Sequence, residues 1–343
     1  MMRGAIVGLG NVALNGHLPA WKKWTDFKIL AGVDSSPEQR TAFRKLCPES
    51  ASYSTFEECL SASPVDFVDI CTPPHTHFDL VRKSLDHKVH VLCEKPLVFL
   101  KDQLEVLEKS AATSDQVLFT VHNWKFAPIC SKITELIRNG AVGEVRRCEW
   151  YVLRNGPAKA AVGGRENWRL EPKMSGGGIL IDHGWHAFYL ILNWMNRVPK
   201  TVQATLENRC SEDLLVEDTA NIKIQFESSD PLGRTAEIFM TWASRIRKNS
   251  GIIEGSRGRI QMEDDVLTLF PETGASQTYR FDSPLSAGSH HPEWFNSVID
   301  EFSGEIRDVQ KKGKNLKSAK ACLDLIETSK ESSQKGALVP YRS

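Results

Sequence analysis

A short apolar run, Ala5-Ile6-Val7, opens directly into Gly8-Leu9-Gly10-Asn11-Val12-Ala13, and a helical pattern then continues to about Lys23. A strand that ends in GxGxxA and turns at once into a helix is the phosphate-binding corner of a βαβ unit. The glycines at 8 and 10 permit the tight turn and bring backbone close to a pyrophosphate. Ala13 lets the helix pack on the sheet, and the helix N-terminus offers N–H groups and the positive end of its dipole. Gly8, Gly10, Asn11 and Val12 are therefore candidate contacts to a dinucleotide.

The following residues keep the same rhythm. Lys28 to Val33, Asp66 to Ile70, Val89 to Leu92 and Val117 to Val121 read as strands, separated by helical stretches at Pro37 to Leu46, His77 to Asp86 and Leu100 to Ser114. Right-handed crossovers turn this pattern into a parallel, doubly wound Rossmann sheet. Twenty-one residues beyond Ala13, the second strand ends in Asp34. A carboxylate there accepts hydrogen bonds from ribose hydroxyls and repels a 2′-phosphate, which favours NAD over NADP. Its other reading is a cap on the helix near Pro37. Two further strand ends carry Thr72-Pro73-Pro74-His75-Thr76-His77 and Cys93-Glu94-Lys95-Pro96. Ligands of open α/β sheets bind at such ends, so Thr72, Pro73, His77, Glu94 and Lys95 join the candidates.

Beyond His122 the pattern changes. Helical stretches at Pro128 to Asn139 and Ile179 to Met195 are followed by closely spaced strand-like runs at Thr201 to Asn208, Thr219 to Phe226, Ala236 to Trp242, Ser250 to Gly255, Arg259 to Glu263 and Val266 to Phe270. Turn signals between them imply a mostly antiparallel sheet. The expected fold is α/β: a Rossmann domain over residues 1–122, then an α+β domain over 123–343 whose late helices, Pro292 to Ser303 and Leu316 to Ser329, pack near the junction. The length of 343 residues suits two domains.

Lys plus Arg equals Asp plus Glu at 43 each, which argues against a nucleic-acid partner. The eight cysteines lack CxxC pairs and read as reduced thiols of a cytoplasmic protein. The most apolar stretch, Gly176 to Met195, carries Asp182, His183 and His186, so no membrane span is expected. Read as an α-helix, residues 179 to 195 place Asp182 and His186 on one face, one turn apart. A polar pair on an apolar helix needs a cleft or a ligand. Lys95, Asp182 and His186 suit alcohol oxidation, in which a base takes the hydroxyl proton while hydride leaves carbon. His17, His87, His90 and His122 lack metal-ligand spacing, and no catalytic metal is expected. His290-His291 either lines a cleft or caps a helix.

Taken in order, the GxGxxA, the TPPHTH segment, Glu94-Lys95-Pro96, the glycine-rich run from 176 to His186, Glu217-Asp218-Thr219 and Gly255-Ser256-Arg257-Gly258 resemble the Gfo/Idh/MocA oxidoreductase family nearly end to end. The resemblance implies NAD(P) in the first domain and an open sheet in the second that often forms an oligomer interface. It assigns Lys95 to nicotinamide and the reacting hydroxyl and His186 to acid/base work, and it matches Asp182 to the family's Asp, which is read here as orienting the substrate or the lysine. It also implies a neutral, polyhydroxylated sugar, cyclitol or sugar derivative as substrate. Two positions depart from the family pattern: Tyr189 stands where His-x-x-Asp is common, and Lys125 where arginine is frequent. Asn123, Lys125, Trp168, Arg169 and Tyr189, with Trp124 and Trp185, are candidate substrate contacts. The expectation is thus an NAD-dependent sugar or cyclitol dehydrogenase. An NAD-dependent glycosidase or a silent nucleotide-sensing regulator of the same fold is the alternative. Val-, Ile- and Phe-rich strands with few covering helices further suggest a broad apolar face and a homodimer or homotetramer.

Overall fold

Six strands, β1 (Met2–Val7), β2 (Phe27–Val33), β3 (Ala51–Tyr53), β4 (Phe67–Ile70), β5 (His90–Cys93) and β6 (Leu118–Thr120), pair in parallel in the order β3-β2-β1-β4-β5-β6. This is the Rossmann order, with its switch point between β1 and β4. Strands covered on both faces read as unbroken apolar runs, and Ile6, Val68, Ile70 and Val91 are wholly buried. Asp69, also at 0% exposure, is the exception in β4.

The helix after the fingerprint is not uniform. Ala13–His17 form a π-helical turn and Leu18–Trp21 an α-helical one. Pro19 accounts for the widening, since it has no N–H for the carbonyl of Asn15 and its ring crowds that turn. The sequence reading missed β3 and the helix Phe56–Ala62, although Thr55 and Glu58 form a capping box there.

A second sheet runs β14-β13-β12-β11-β7-β10-β9-β8-β15. Its strands are β7 (Val145–Leu153), β8 (Pro199–Glu207), β9 (Thr219–Phe226), β10 (Arg234–Thr241), β11 (Lys248–Gly255), β12 (Gly258–Glu263), β13 (Val266–Pro271), β14 (Gln277–Arg280) and β15 (Val339–Pro340). Among the described strands of this sheet only β7 and β10 pair in parallel. Residues alternate in and out: Ile222, Ile224 and Phe226 of β9 are buried, whereas Asn221, Lys223 and Gln225 are exposed. The inner face packs on the helix Trp185–Met195, where Trp150 and Trp194 meet edge to face at 5.2 Å. The outer face is more polar than its composition suggests. Lys223 lies 3.0 Å from Glu237, and Arg147 lies 2.7 Å from Glu149.

The structure is a computed structural model that describes residues 1–158, 167–211, 213–288 and 290–342. The parallel sheet belongs to a compact unit built on Met1–Asn123 and Gly288–Lys320. The mixed sheet belongs to a second, built on Trp124–Lys159, Arg169–Ala287 and Ala321–Ser343.

Candidate active site

In the first unit, Gly8 has φ +88°, and a Cβ there would stand 2.8 Å from the Thr72 backbone nitrogen, so no other residue fits. At Gly10 a Cβ would meet nothing within 4 Å, which leaves the loop backbone open to a phosphate group. Asn11 is exposed and accepts a hydrogen bond from Asn15; Val12 is half-buried. Asp34 accepts from the Leu9 N–H at 2.8 Å with Oδ2 and from the Ser36 N–H at 2.8 Å with Oδ1. It therefore ties the fingerprint loop to the end of β2. The helix Pro37–Leu46 is capped by Ser36 instead, whose hydroxyl accepts from Gln39 N–H. Each Asp34 oxygen keeps a lone pair for a ribose hydroxyl. These groups fit a dinucleotide: backbone N–H donors and open space at the phosphate corner, and a carboxylate at the ribose position.

The loops after β4 and β5 are joined by His77. Its ring is wholly buried, with Nδ1 2.8 Å from the Pro96 carbonyl and Nε2 2.9 Å from that of Thr72. Burial lowers its pKa below 6.5, against the pull of those carbonyls. His77 thus shapes two loops rather than presenting a side chain to a ligand. Thr72 takes a hydrogen bond from Thr76, and Pro73 leads into a short 3₁₀ turn. Glu94 accepts the Lys95 N–H with Oε2, and its Oε1 lies 3.1 Å from His17 Nε2.

His17, Asp69 and Cys71 come together in three dimensions, with Nδ1, a carboxylate oxygen and Sγ within 4.8 Å of one another. The sequence reading set His17 aside for want of metal-ligand spacing. The signal available was Asp69, a carboxylate in a buried apolar strand, which requires a partner. Separations of 3.0 Å from Nδ1 to either Asp69 oxygen and 3.1 Å to Sγ are those of hydrogen bonds, and the cluster is an ion pair with a thiol beside it.

In the second unit the helix bearing Asp182 and His186 begins under tight constraint. Glu217 Oε1 accepts from the N–H groups of Gly178 and Leu180, and its carbonyl from that of Ile179. A Cβ on Gly178 would lie 1.8 Å from that carbonyl oxygen, so the glycine run exists for this close approach. Burial raises the Glu217 pKa despite these bonds. Leu180–Gly184 then form a π-helical turn, and the α-helix starts only at Trp185. The single α-helix expected over 179 to 195 is thus corrected. Asp182 sits in the wide turn, where the angle per residue is smaller and the i, i+4 face argument no longer applies. Its Oδ2 lies 3.4 Å from His183 Nδ1 and 3.9 Å from Arg169 Nε.

His186 is 6% exposed, stacks on Trp124 at 4.5 Å with the rings 8° apart, and sets Nδ1 2.8 Å from the Tyr189 hydroxyl. That hydroxyl also accepts the Trp124 N–H at 2.9 Å. Tyr189 is therefore a support for His186 more than a free substrate contact. The phenol oxygen can accept from a protonated Nδ1, which leaves a lone pair on Nε2, or turn its proton to Nδ1, which leaves Nε2 as a donor. Acid and base forms are both accommodated. Arg154, which the sequence reading did not single out, is 2% exposed, lies 6.0 Å from the Trp124 ring and donates to the carbonyls of Leu153 and Lys248. Burial lowers its pKa to about 10, and Arg247 adds to the effect. Lys125 lies over the Phe126 ring at 4.8 Å. Asn123 begins a 3₁₀ turn and Trp168 another, both half-buried.

Two other marked segments lie at a turn and at a helix start. Ser256 and Arg257 turn β11 into β12, and Gly255 and Gly258 allow backbone contacts that a Cβ would block. His291 stands at the N-cap of Pro292–Arg307 without capping it and stacks on Trp294 at 3.5 Å.

Residues 2–122 match the family model described as an oxidoreductase family with an NAD-binding Rossmann fold, and residues 130–261 match that of the Gfo/Idh/MocA C-terminal domain. The chain belongs to the Gfo/Idh/MocA oxidoreductase family. It is an NAD-binding oxidoreductase. D-glucoside 3-dehydrogenase of Escherichia coli is 28% identical over 54% of the chain and 51% of the relative. D-xylose 1-dehydrogenase (NADP(+)) 2 of Haloferax volcanii is 22% identical over 99% of both. Among solved structures, a levoglucosan dehydrogenase in complex with NADH superposes with a TM-score of 0.85 at 17% identity, covering 100% of this chain and 99% of that one, a likeness of fold. No helix of the described residues is long and apolar enough to cross a membrane.

Proposed function

We propose that this Gfo/Idh/MocA protein is an NAD-dependent dehydrogenase or reductase of a secondary alcohol or ketone on a sugar, cyclitol or sugar derivative. The observation that carries the reading is the mounting of His186: a buried imidazole stacked on Trp124, with Nδ1 held by the Tyr189 hydroxyl, which can accept a proton from it or donate one to it. The relatives named for glucoside and xylose oxidation support the substrate class. Gly8, Gly10, Asn11 and Val12 hold the pyrophosphate and Asp34 the adenosine ribose, which selects NAD. When bound, NAD supplies the hydride acceptor or donor.

The side chains perform the rest. Lys95 holds the hydroxyl and lowers its pKa through its positive charge, His186 takes the proton in oxidation and returns it in reduction, and Asp182 orients the substrate. Trp168 and Arg169 are assigned to the sugar ring. The cytoplasmic assignment rests on the eight cysteines, which are all free thiols. Self-association through the outer face of the mixed sheet is part of the proposal, since charged pairs there are interleaved with half-buried Tyr151, Phe239 and Phe270. Light scattering on the purified protein is expected to give a dimer or tetramer, and a monomer at micromolar concentration overturns that part.

The deciding experiment is a panel of cyclitols, aldoses, uronates and keto-sugars read by NADH absorbance in both directions, on the native protein, Lys95→Ala and His186→Ala. Turnover is expected to fall by about 10²-fold to 10⁴-fold in each variant with NAD binding nearly intact. Folded variants with full activity overturn the site. Release of a leaving group without net NADH points to the glycosidase reading, and NAD binding without turnover on any substrate to a regulator.

A further inference from the structure

The cluster at the ends of β4 and β5 carries no chemical step of the reaction just assigned. Asp69 accepts from Trp21 Nε1 at 2.7 Å, and both of its oxygens lie 3.0 Å from His17 Nδ1. On the opposite edge of the imidazole, Nε2 lies 3.1 Å from Glu94 Oε1. Phe295 covers the ring face, with centroids 3.7 Å apart, and the Cys71 thiol lies beside Nδ1 at 3.1 Å. Both ring nitrogens thus face carboxylates, whose full negative charges, unlike the carbonyls around His77, hold the ring as an imidazolium that donates from both nitrogens. Burial alone works against that charge, but Asp69 raises the His17 pKa well above 6.5. For Glu94, burial is likewise outweighed by the bond to His17, and its pKa is lowered.

The second oxygen of Glu94 accepts the backbone N–H of Lys95 at 2.9 Å. A continuous series of hydrogen bonds therefore runs from Trp21 through Asp69, His17 and Glu94 to the residue assigned to the reacting hydroxyl. We propose that His17 is a positioning residue: as a clamp between Asp69 and Glu94 it fixes the direction of the Glu94 carboxylate, and through it the backbone that carries Lys95. The inference rests on the assignment of Lys95 above. For stability alone, apolar side chains of the same volume would serve as well as this largely buried ionic trio. What the ions add is direction, because each oxygen of Glu94 has its own donor and the carboxylate cannot turn without losing one.

Glu94→Ala removes the clamp while leaving the His17 and Asp69 pair intact. Its kcat is expected to fall about 10²-fold, the cost of a misplaced reacting group, while KM and the NAD dissociation constant move by less than about threefold. Glu94→Gln is expected to regain at least about tenfold over Glu94→Ala. Its amide oxygen accepts the Lys95 N–H, and its NH₂ donates to Nε2 of a neutral His17 that still donates Nδ1–H to Asp69. His17→Gln, too short to span both carboxylates, is expected to show the same kcat loss, and it decides the matter if Glu94→Ala does not fold. A purely structural role lowers the melting temperature of these variants but leaves kcat of the folded enzyme near the native value, and that result overturns the proposal. So does a loss of NAD binding in proportion to turnover, or a Glu94→Gln no better than Glu94→Ala. Lys95→Met, measured in parallel, separates the two levels: a fully active Lys95→Met overturns the assignment of Lys95, whereas a silent Lys95→Met beside an active Glu94→Ala overturns the clamp alone.

Discussion

At His186 the ring is restrained by the stack on Trp124 and by the Tyr189 hydroxyl. Tyr189→Phe removes the oxygen that both Nδ1 and the Trp124 N–H use, and leaves a buried imidazolium without its acceptor. The charged form is then disfavoured, so the acid limb of the oxidation profile is expected to move to lower pH. A fall in kcat of about tenfold, the scale of one lost hydrogen bond to a charged group, should accompany it. A pH profile of kcat checks both; an unshifted limb means that Tyr189 does not bear on the base. Asp34 is the second single residue with a distinct consequence. Because its oxygens already accept from Leu9 and Ser36 N–H, Asp34→Ala loosens the fingerprint loop as well as removing the charge that repels a 2′-phosphate. Titration of both cofactors is expected to show NAD preferred by the native protein and the gap narrowed in the variant, with weaker binding of both. Equal NADP binding by the native protein contradicts the assignment.

Among elements, the π-helical turn Leu180–Gly184 matters most, because Asp182 sits within it and the α-helix bearing His186 begins directly after it. Glu217 fixes its start from another segment of the chain. Glu217→Ala leaves the buried Gly178 and Leu180 N–H groups without an acceptor, at about 1–3 kcal/mol each, and denaturant unfolding of the second unit should show the loss. Glu217→Gln keeps the accepting oxygen and should lose less. A variant as stable as the native protein removes Glu217 from this role. In the sequence, Gly176 to Gly178 marked the place as special and Glu217-Asp218-Thr219 marked a motif, but nothing local says that the two meet across 39 residues. β7 was missed for a local reason instead. Cys148, Trp150 and Val152 alternate as a strand should, yet Arg146 and Arg147 break the alternation at its start, so the strand that joins the parallel and antiparallel parts of the sheet escaped the reading. Where the signal is local it was legible: the fingerprint corner, the strand-ending Asp34 and the helix His77–Asp86 stand as read. The π turns at Ala13–His17 and Leu180–Gly184 were not, since apolar spacing over five residues does not distinguish a wide turn from an ordinary one.

For the molecule as a whole, the histidines of the first unit set opposing pH dependences of stability. His77 is buried with its pKa lowered from 6.5, so the unfolded chain takes up a proton that the folded unit refuses as pH falls below 6.5. Stability is therefore lost on the acid side, and His90, lowered by burial and by Lys312, acts in the same sense. His17 has its folded pKa well above 6.5: its contribution is complete below 6.5 and is lost as pH rises through the folded value. Both effects follow from the linkage of proton binding to unfolding. Urea midpoints of the native protein, measured across roughly pH 5 to 9, are expected to pass through a maximum for this unit, with each limb assigned by its own variant. His77→Gln should be less stable near neutrality, because it frees the loops at Thr72 and Pro96, but its acid limb should be shallower, with His90 supplying what slope remains. His17→Gln should flatten the alkaline limb and leave the acid one alone. An acid limb of native steepness in His77→Gln means that its imidazole is charged in the folded protein, held so by the two carbonyls it faces; an alkaline limb of native steepness in His17→Gln means that the ring between Asp69 and Glu94 gives up its proton no later than the unfolded chain does.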